Sequence, residues 1–359
     1  STPLYSSAAS DVYKRQDLKE RIGRIVVGST YAGEPVQVSQ LGVEGALTAL
    51  LKEAIHPNLV QTLGGVPAFV HGGPFANIAH GCNTLTATKT AMKLGDYVCT
   101  EAGFGADLGA EKFFDMKARY GDIKVDAVVL VATIRSLKYN GGVPRDELTN
   151  ENLEALEAGV VNLQRHVENV RKFGVEPVIA LNDFVSDTQA ERDFMSAWGE
   201  KNGVPVIESK VWAKGGEGAR ELAKAVIEVV ESGKSDSHPL YDVEDGIEAN
   251  IKKIATELYH AGDVQYSAKA LKDLKFIQKN GWDKLPVIIS KTQYSFSDDG
   301  SKLGAPEGHT LHVRELLPKI GAGFIVALTG NVMTLPGLGK TPAALKIDID
   351  DNGVISGLF

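Results

Sequence analysis

The stretch VDAVVLVATIRSLKYNGG, residues 125–142, decides the fold class. From Val125 to Ile134 the run is apolar apart from Asp126 and Thr133, without the alternation of a strand that faces water on one side. Such a run reads as a strand buried on both faces, which requires helices above and below it and therefore a parallel sheet. The run then gives way to Arg135 and Lys138 and to an Asn-Gly-Gly turn. In open parallel sheets ligands bind beyond the carboxyl ends of the strands, so this turn is placed where a site belongs.

The same unit, an apolar run followed by a polar turn and a helical stretch, recurs on both sides. Upstream, VPAFV (residues 66–70) leads to HGGPFANIAHGCNTLTATKTAMKLG, and DYVCTEAG (96–103) leads to FGADLGAEKFFDMKARYG. Downstream, EPVIALN (176–182) leads to DFVSDTQAERDFMSAWGEKNG, and VPVIESKVWA (204–213) leads to KGGEGARELAKAVIEVVESG. The expected architecture is α/β, a mostly parallel sheet with helices on both faces over residues 17–235, with its site made of the strand-end turns. After the polar stretch at 231–240, residues 243–285 read as two or three amphipathic helices, followed by the strands PVIIS (286–290) and GFIVALTG (323–330). Residues 236–359 are therefore expected to form a smaller C-terminal α/β domain. Residues 1–16, STPLYSSAASDVYKRQ, carry neither period and read as a tail outside the fold, of the kind a translated adapter sequence leaves.

A chain of 359 residues with 43% apolar and 23% charged side chains has the composition of a folded α/β enzyme. Its formal charge of −8, from 38 basic and 46 acidic side chains, offers no broad basic surface for nucleic acid. No apolar run approaches the ~20 residues of a membrane-spanning helix, and the first residues lack a signal-peptide pattern. No nucleic acid, no membrane and a cytoplasmic location are the expectations. The two cysteines, Cys82 and Cys99, read as buried free thiols.

Four stretches can carry chemistry. Gly103, Gly105 and Gly109 in TEAGFGADLGAEKF are spaced G-x-G-x-x-x-G, one residue off the dinucleotide fingerprint. The turn either presents backbone N–H groups to a phosphate or packs tightly. In FVHGGPFANIAHG, Asn77 and His80 fall on the first turns of a helix, while the spacing of His71 and His80 does not match a zinc helix. Arg135 and Lys138 either receive an anionic substrate, phosphate or carboxylate, or cap the sheet as surface cations. Phe184, after Asn182 at one strand end, and Trp212, at the next, either flank one flat ligand or pack in the core.

Near the C-terminus, TLPGLGKTPAAL (residues 334–345) contains a Gly-Lys-Thr like the tail of a phosphate loop. That motif needs a glycine where Thr334 stands, and a helix after the threonine, which Pro342 disfavours. Gly339, Lys340 and Thr341 are accordingly read as a connection.

From about residue 18 to the end the chain resembles the formate–tetrahydrofolate ligase (10-formyltetrahydrofolate synthetase) family. The resemblance rests on VATIRSLKYNGG, with Ser136 where alanine is usual, and on VQTLGGVPAFVHGGPFANIAHGCNT, EAGFGADLGAEKFFD, ALNDFVSDT, VWAKGGEGA, KTQYSFSDD and NVMTLPGLGKTPAA, in that family's order. It implies a P-loop NTPase-like fold and an ATP-dependent ligase that phosphorylates formate and passes the formyl group to tetrahydrofolate. Further implications are Mg2+ with ATP, a monovalent cation (K+ or NH4+) and a homotetramer. Phe184 and Trp212 match the pair that holds the pterin, and Phe104 matches a residue lining the formyl phosphate and nucleotide region. Gly103, Gly105, Asn77 and Asn182 are expected near the nucleotide, with Arg135 and Lys138 as substrate-binding cations.

The family's true phosphate loop lies in an N-terminal portion with no counterpart here, so the main catalytic residues are not assigned on this chain. The expectation is an incomplete ligase, inactive alone and with exposed apolar surface. The alternative is a standalone folate-binding module, or a subunit of a split ligase completed by a separate chain. A nicotinamide dehydrogenase ranks behind both, for want of a fingerprint with an acidic ribose partner.

Overall fold

The computed structural model describes residues 15–332, 342–351 and 353–357. Gly339, Lys340 and Thr341 lie outside the described residues, as does most of the 1–16 tail. The first helix, α1 (Arg15–Gly23), starts two residues before the amphipathic pattern does, and it buries Leu18 and Ile22.

The central stretch folds as its pattern implies. Strand β5 (Val128–Ala132) pairs in parallel with β6 (Pro177–Asn182), and β6 with β7 (Val206–Ser209). The crossovers are helical. Thr133 caps α3 (Ile134–Asn140) by accepting from the Ser136 N–H, and Asn152 caps α4 (Leu153–Arg171) through Ala155. Thr188 and Glu191 form a reciprocal capping box on α5 (Gln189–Asn202). Helix α4 packs on β5 and β6, and α6 (Arg220–Glu231) on β6 and β7. Helices α3 and α4 approach backbone to backbone, because a Cβ on Gly159 would collide with the Leu137 carbonyl.

The parallel sheet has three strands, not the five that the repeating unit implies. VPAFV forms β4 (Pro67–Val70) in an antiparallel hairpin with β3 (Asn58–Gln61), ahead of α2 (Leu85–Leu94). Two short apolar runs separated by a glycine-bearing turn, closed by hydrogen bonds between Thr62 and Val66, favour that local pairing over a distant parallel one. DYVCTEAG contributes only an isolated bridge from Ala102 to Cys82. Strand β5 is thus an edge of its sheet among the described residues, with Val131 71% exposed.

A second sheet has the order β8-β10-β11-β9: β8 (Asp263–Tyr266), β9 (Val287–Ser290), β10 (Thr310–Lys319) and β11 (Phe324–Thr329). It carries α7 (Ile247–Glu257) and α8 (Ala268–Lys279), flanking β8 in the chain. Tyr266 and Thr329 are both in register with Val313, so β8 and β11 end at the same level. One apolar core runs through both sheets, from Leu130, Ile179 and Leu181 to Ile289, Phe296 and Val313.

Candidate functional site

Two features stand at the strand ends. The first is a shelf beyond β5, β6 and β7. Asp183 N–H donates to the Ser209 carbonyl at 3.0 Å, so the segments leaving β6 and β7 start side by side. Phe184 lies two residues past β6, its N–H held by Asp187 Oδ2 at 3.0 Å. Arg135, on the first turn of α3, places its guanidinium 4.3 Å from the Phe184 ring centroid and donates to Ser186 Oγ at 3.0 Å. Among the described residues no carboxylate forms an ion pair with Arg135, whose partners are the Phe184 ring and Ser186. Trp212, three residues past β7, is 93% exposed. An indole so exposed gains nothing from the core and is available to stack.

Lys138 is not on this shelf, which corrects the reading of two cations at the crevice mouth. It lies one turn of α3 from Arg135 on the inward side, fully buried. Its ammonium stands 2.7 Å from Glu191 Oε1 and donates to the Asn150 carbonyl at 2.7 Å. Glu191 also accepts from the N–H groups of Asn152 and Thr188. Burial alone would raise the Glu191 carboxyl, but these hydrogen bonds, that from Lys138 first, hold it below its ordinary value. The pair locks α3 to α5.

The second feature is a cleft of about 1280 Å³ between the turns of residues 75–78 and 104 on one side and the ends of β8, β9 and β11 on the other. Phe104 is one of three non-glycine residues at positive φ among the described residues, at 60°, a conformation that costs ~1 kcal/mol or more and persists where it serves a purpose. Its half-exposed ring faces that of Phe75, centroids 6.4 Å apart, and both rings line the cleft. Asn77 lines it too, while its carbonyl accepts from Ser290 Oγ at 2.7 Å. Gly103 and Gly105 flank Phe104, and a Cβ on Gly105 would meet Asp107 Oδ1 at 2.5 Å. Asn182, the last residue of β6, does not line the cleft.

The opposite wall holds Thr292, Tyr294, Asp298 and His312, none of them singled out by the sequence reading. His312 Nδ1 lies 3.0 Å from Asp298 Oδ2, which also accepts the His312 backbone N–H. The signal for Thr292, Tyr294 and Asp298 was KTQYSFSDD, which the resemblance used only as a match, and His312 lies outside it.

Shelf and cleft are linked through α3 and Arg145. Tyr139 is four residues from Arg135 and so on the same face of α3. Arg145 lies 5.3 Å from the Tyr139 ring and 6.0 Å from that of Tyr294 in the cleft.

Behind the Phe104 turn lies a dense set of buried charges. Asp107 pairs with Lys291 at 2.6 Å. Burial would raise its carboxyl, but Lys291, His166 and Lys112 hold it below the usual range. Glu111 and Asp115, one helical turn apart and wholly buried, are raised by burial, Glu111 well above its ordinary value and Asp115 to about 7. His71 is held at both ring nitrogens, with Nε2 donating to the Ala54 carbonyl at 2.7 Å and Nδ1 2.7 Å from the Thr84 hydroxyl, whose oxygen in turn caps α2. His80 is buried with neither ring nitrogen hydrogen-bonded, and burial with two nearby lysines pushes it down to about 3. Cys82 is buried, but Cys99 is exposed, against the expectation of two buried thiols.

Comparisons with known proteins agree on one family. The family model for formate–tetrahydrofolate ligase matches residues 10–359. A formate–tetrahydrofolate ligase of Corynebacterium diphtheriae is 65% identical over 343 residues, covering 96% of this chain and 62% of that protein. Proteins of the same name from Paenarthrobacter aurescens and Staphylococcus aureus are 59% and 56% identical, each over 96% of this chain and 61% and 62% of theirs. The chain thus spans about three fifths of the length of the curated relatives it matches.

Proposed function

The chain belongs to the formate–tetrahydrofolate ligase family, and from that premise we propose that it carries the folate end and the acyl-phosphate end of an ATP-driven joining of formate to tetrahydrofolate. The observation that carries this reading is the shelf: an uncompensated guanidinium stacked on Phe184, with an exposed indole leaving the neighbouring strand. A neutral flat ring gains from stacking on Phe184 and Trp212, and Arg135 receives an anionic group of a substrate.

In the proposed reaction a formate oxygen attacks the terminal phosphorus of ATP, ADP leaves, and formyl phosphate results. The N10 amine of tetrahydrofolate then attacks the formyl carbon, and the C–O bond to phosphate breaks. Phe104 and Asn77 line the cleft, and with Gly103 and Gly105 beside Phe104 they receive the nucleotide and acyl phosphate, where fixed N–H donors oppose developing charge. Asn182 bounds the shelf from the end of β6. Mg2+ with the nucleotide, a monovalent cation, a homotetramer and a cytoplasmic setting belong to the same proposal.

Calorimetric titration of the purified chain with tetrahydrofolate, and separately with MgATP, tests it, alongside an assay for 10-formyltetrahydrofolate. Folate binding that disappears in Trp212→Ala supports the shelf. A parent chain that binds no folate refutes it. Product formation separates a ligase from a module that binds folate without catalysis.

A further inference from the structure

The cleft has one wall from each half of the chain, and both walls are fastened to a single buried ammonium. Lys291 follows β9 directly and has no exposed surface. Its Nζ stands 2.6 Å from Asp107 Oδ2 and donates to the carbonyls of Thr292, at 3.1 Å, and Ser295. It also lies over the Tyr259 ring, 5.0 Å from the centroid, and the Tyr259 hydroxyl donates to the Asp107 carbonyl at 3.4 Å.

Asp107 belongs to the turn that presents Phe104, and Thr292 and Ser295 belong to the opposite wall. An ammonium has three N–H donors, and all three are spent on these acceptors. None remains for a ligand. The absence of a side chain at Gly105, where a Cβ would meet Asp107 Oδ1 at 2.5 Å, leaves room for that carboxylate under the loop. A buried ion pair is a poor source of net stability compared with apolar residues of the same volume, so its location needs another account.

We propose that Lys291 is a positioning residue for the cleft. Through Asp107 on one side and two carbonyls on the other, it holds the Phe104 turn and the 292–299 loop in fixed register, so that the acyl-phosphate and nucleotide end of the site is formed before ligand arrives. The inference rests on the reading of the cleft given under Proposed function, and it predicts a selective defect. The shelf residues Arg135, Phe184 and Trp212 make no contact with the pair, so folate binding is spared.

The experiment compares the full chain with Lys291→Met, which keeps the stem, and with Lys291→Met/Asp107→Asn, which leaves no unpaired charge. Amide hydrogen exchange is followed over residues 103–107 and 292–299, with β5 as the internal control, and MgATP and tetrahydrofolate are titrated calorimetrically. The expected result is exchange about tenfold faster in both walls and not in β5, because the loops open locally. MgATP should bind about tenfold more weakly, with tetrahydrofolate affinity within about twofold of the parent's.

Parental exchange in either wall of Lys291→Met overturns the proposal. So does restoration of parental exchange by the double variant, which would reduce the pair to charge compensation, and so does failure of both variants to fold, which would assign it to stability alone. A parent that binds no MgATP refutes the functional reading of the cleft, and the exchange data still decide the positioning role.

Discussion

Replacing Lys138 by methionine separates a lysine that faces the substrate from one that holds the scaffold together. The side chain is 1% exposed and its partner Glu191 0%, with 2.7 Å between the charged atoms. Methionine keeps most of the stem, so the substitution removes charge rather than volume. Breaking a buried ion pair costs ~3–5 kcal/mol, because the remaining charge is stranded. Glu191 retains the N–H groups of Asn152 and Thr188, which lowers the cost, while the Asn150 carbonyl loses its partner, which adds ~1 kcal/mol. The expected loss is ~3–4 kcal/mol, read as a lower midpoint in urea denaturation followed by circular dichroism. Lys138→Met/Glu191→Gln should recover much of it, since no charge then remains buried. The pH dependence adds a second check. The folded-state Glu191 carboxyl lies below its ordinary value, so its contribution is fully present above about pH 4.5 and is lost as the pH falls through the lowered value. In Lys138→Met that acid limb should flatten. A loss below ~1 kcal/mol accompanied by lost substrate binding would refute this reasoning and return Lys138 to the crevice mouth.

Trp212→Ala should leave the melting temperature unchanged, because the ring is exposed, and weaken tetrahydrofolate binding by ~1–3 kcal/mol, checked by calorimetry. His80 has a folded-state value of about 3 against an ordinary 6.5, so the unfolded chain takes up a proton that the folded chain refuses as the pH falls below 6.5. The stability difference between parent and His80→Leu should therefore shift against the parent by about 2 kcal/mol between pH 7 and pH 5, and a pH-independent difference would contradict the lowered value. Gly159→Ala should cost ~1–3 kcal/mol or more, since the new methyl group meets the Leu137 carbonyl and backbone must move; thermal denaturation checks it. Val131→Glu should reduce self-association in light scattering, because β5 is an edge strand that exposes this valine among the described residues.

The sequence made the centre of the fold legible and misled at its margins, for reasons visible in single elements. Strands β5, β6 and β7 are uninterrupted apolar runs ended by polar turns, and a run of that kind has few alternatives. VPAFV looked the same, but its partner was the adjacent run beyond a short turn, and local pairing precedes distant pairing. Strand β10 was missed because its alternation is broken by the register shift between Val313 and Glu315 and by Pro318. Strand β8, four residues between two helices, is too short to show a period. At the site, Phe184 and Trp212 stood out as aromatics at strand-end turns, while Phe104 was reached only through the resemblance. Lys138 was misplaced because sequence spacing gives the strand end but not the inward or outward side of the helix that follows it. Lys291 and Asp107 left no signal, since a buried pair between segments nearly two hundred residues apart has no local pattern.

The connection between shelf and cleft bears on how two half-sites on different sheets would serve the proposed reaction. In that reaction an acyl phosphate formed in the cleft would be reached by an amine held at the shelf, and a gap between the two would admit water to an intermediate that hydrolyses readily. The connection from shelf to cleft passes from Phe184 and Arg135 along α3 to Tyr139, and from Tyr139 through Arg145 to Tyr294. Its rigid member is α3, whose one-turn spacing fixes Arg135 relative to Tyr139, and whose inward face is pinned by Lys138 to Glu191. The buried ion pair that the sequence placed at the substrate thus acts one step behind it. It sets the orientation of the helix that carries Arg135, and in the proposed reaction the distance between the two ligands would follow from that orientation.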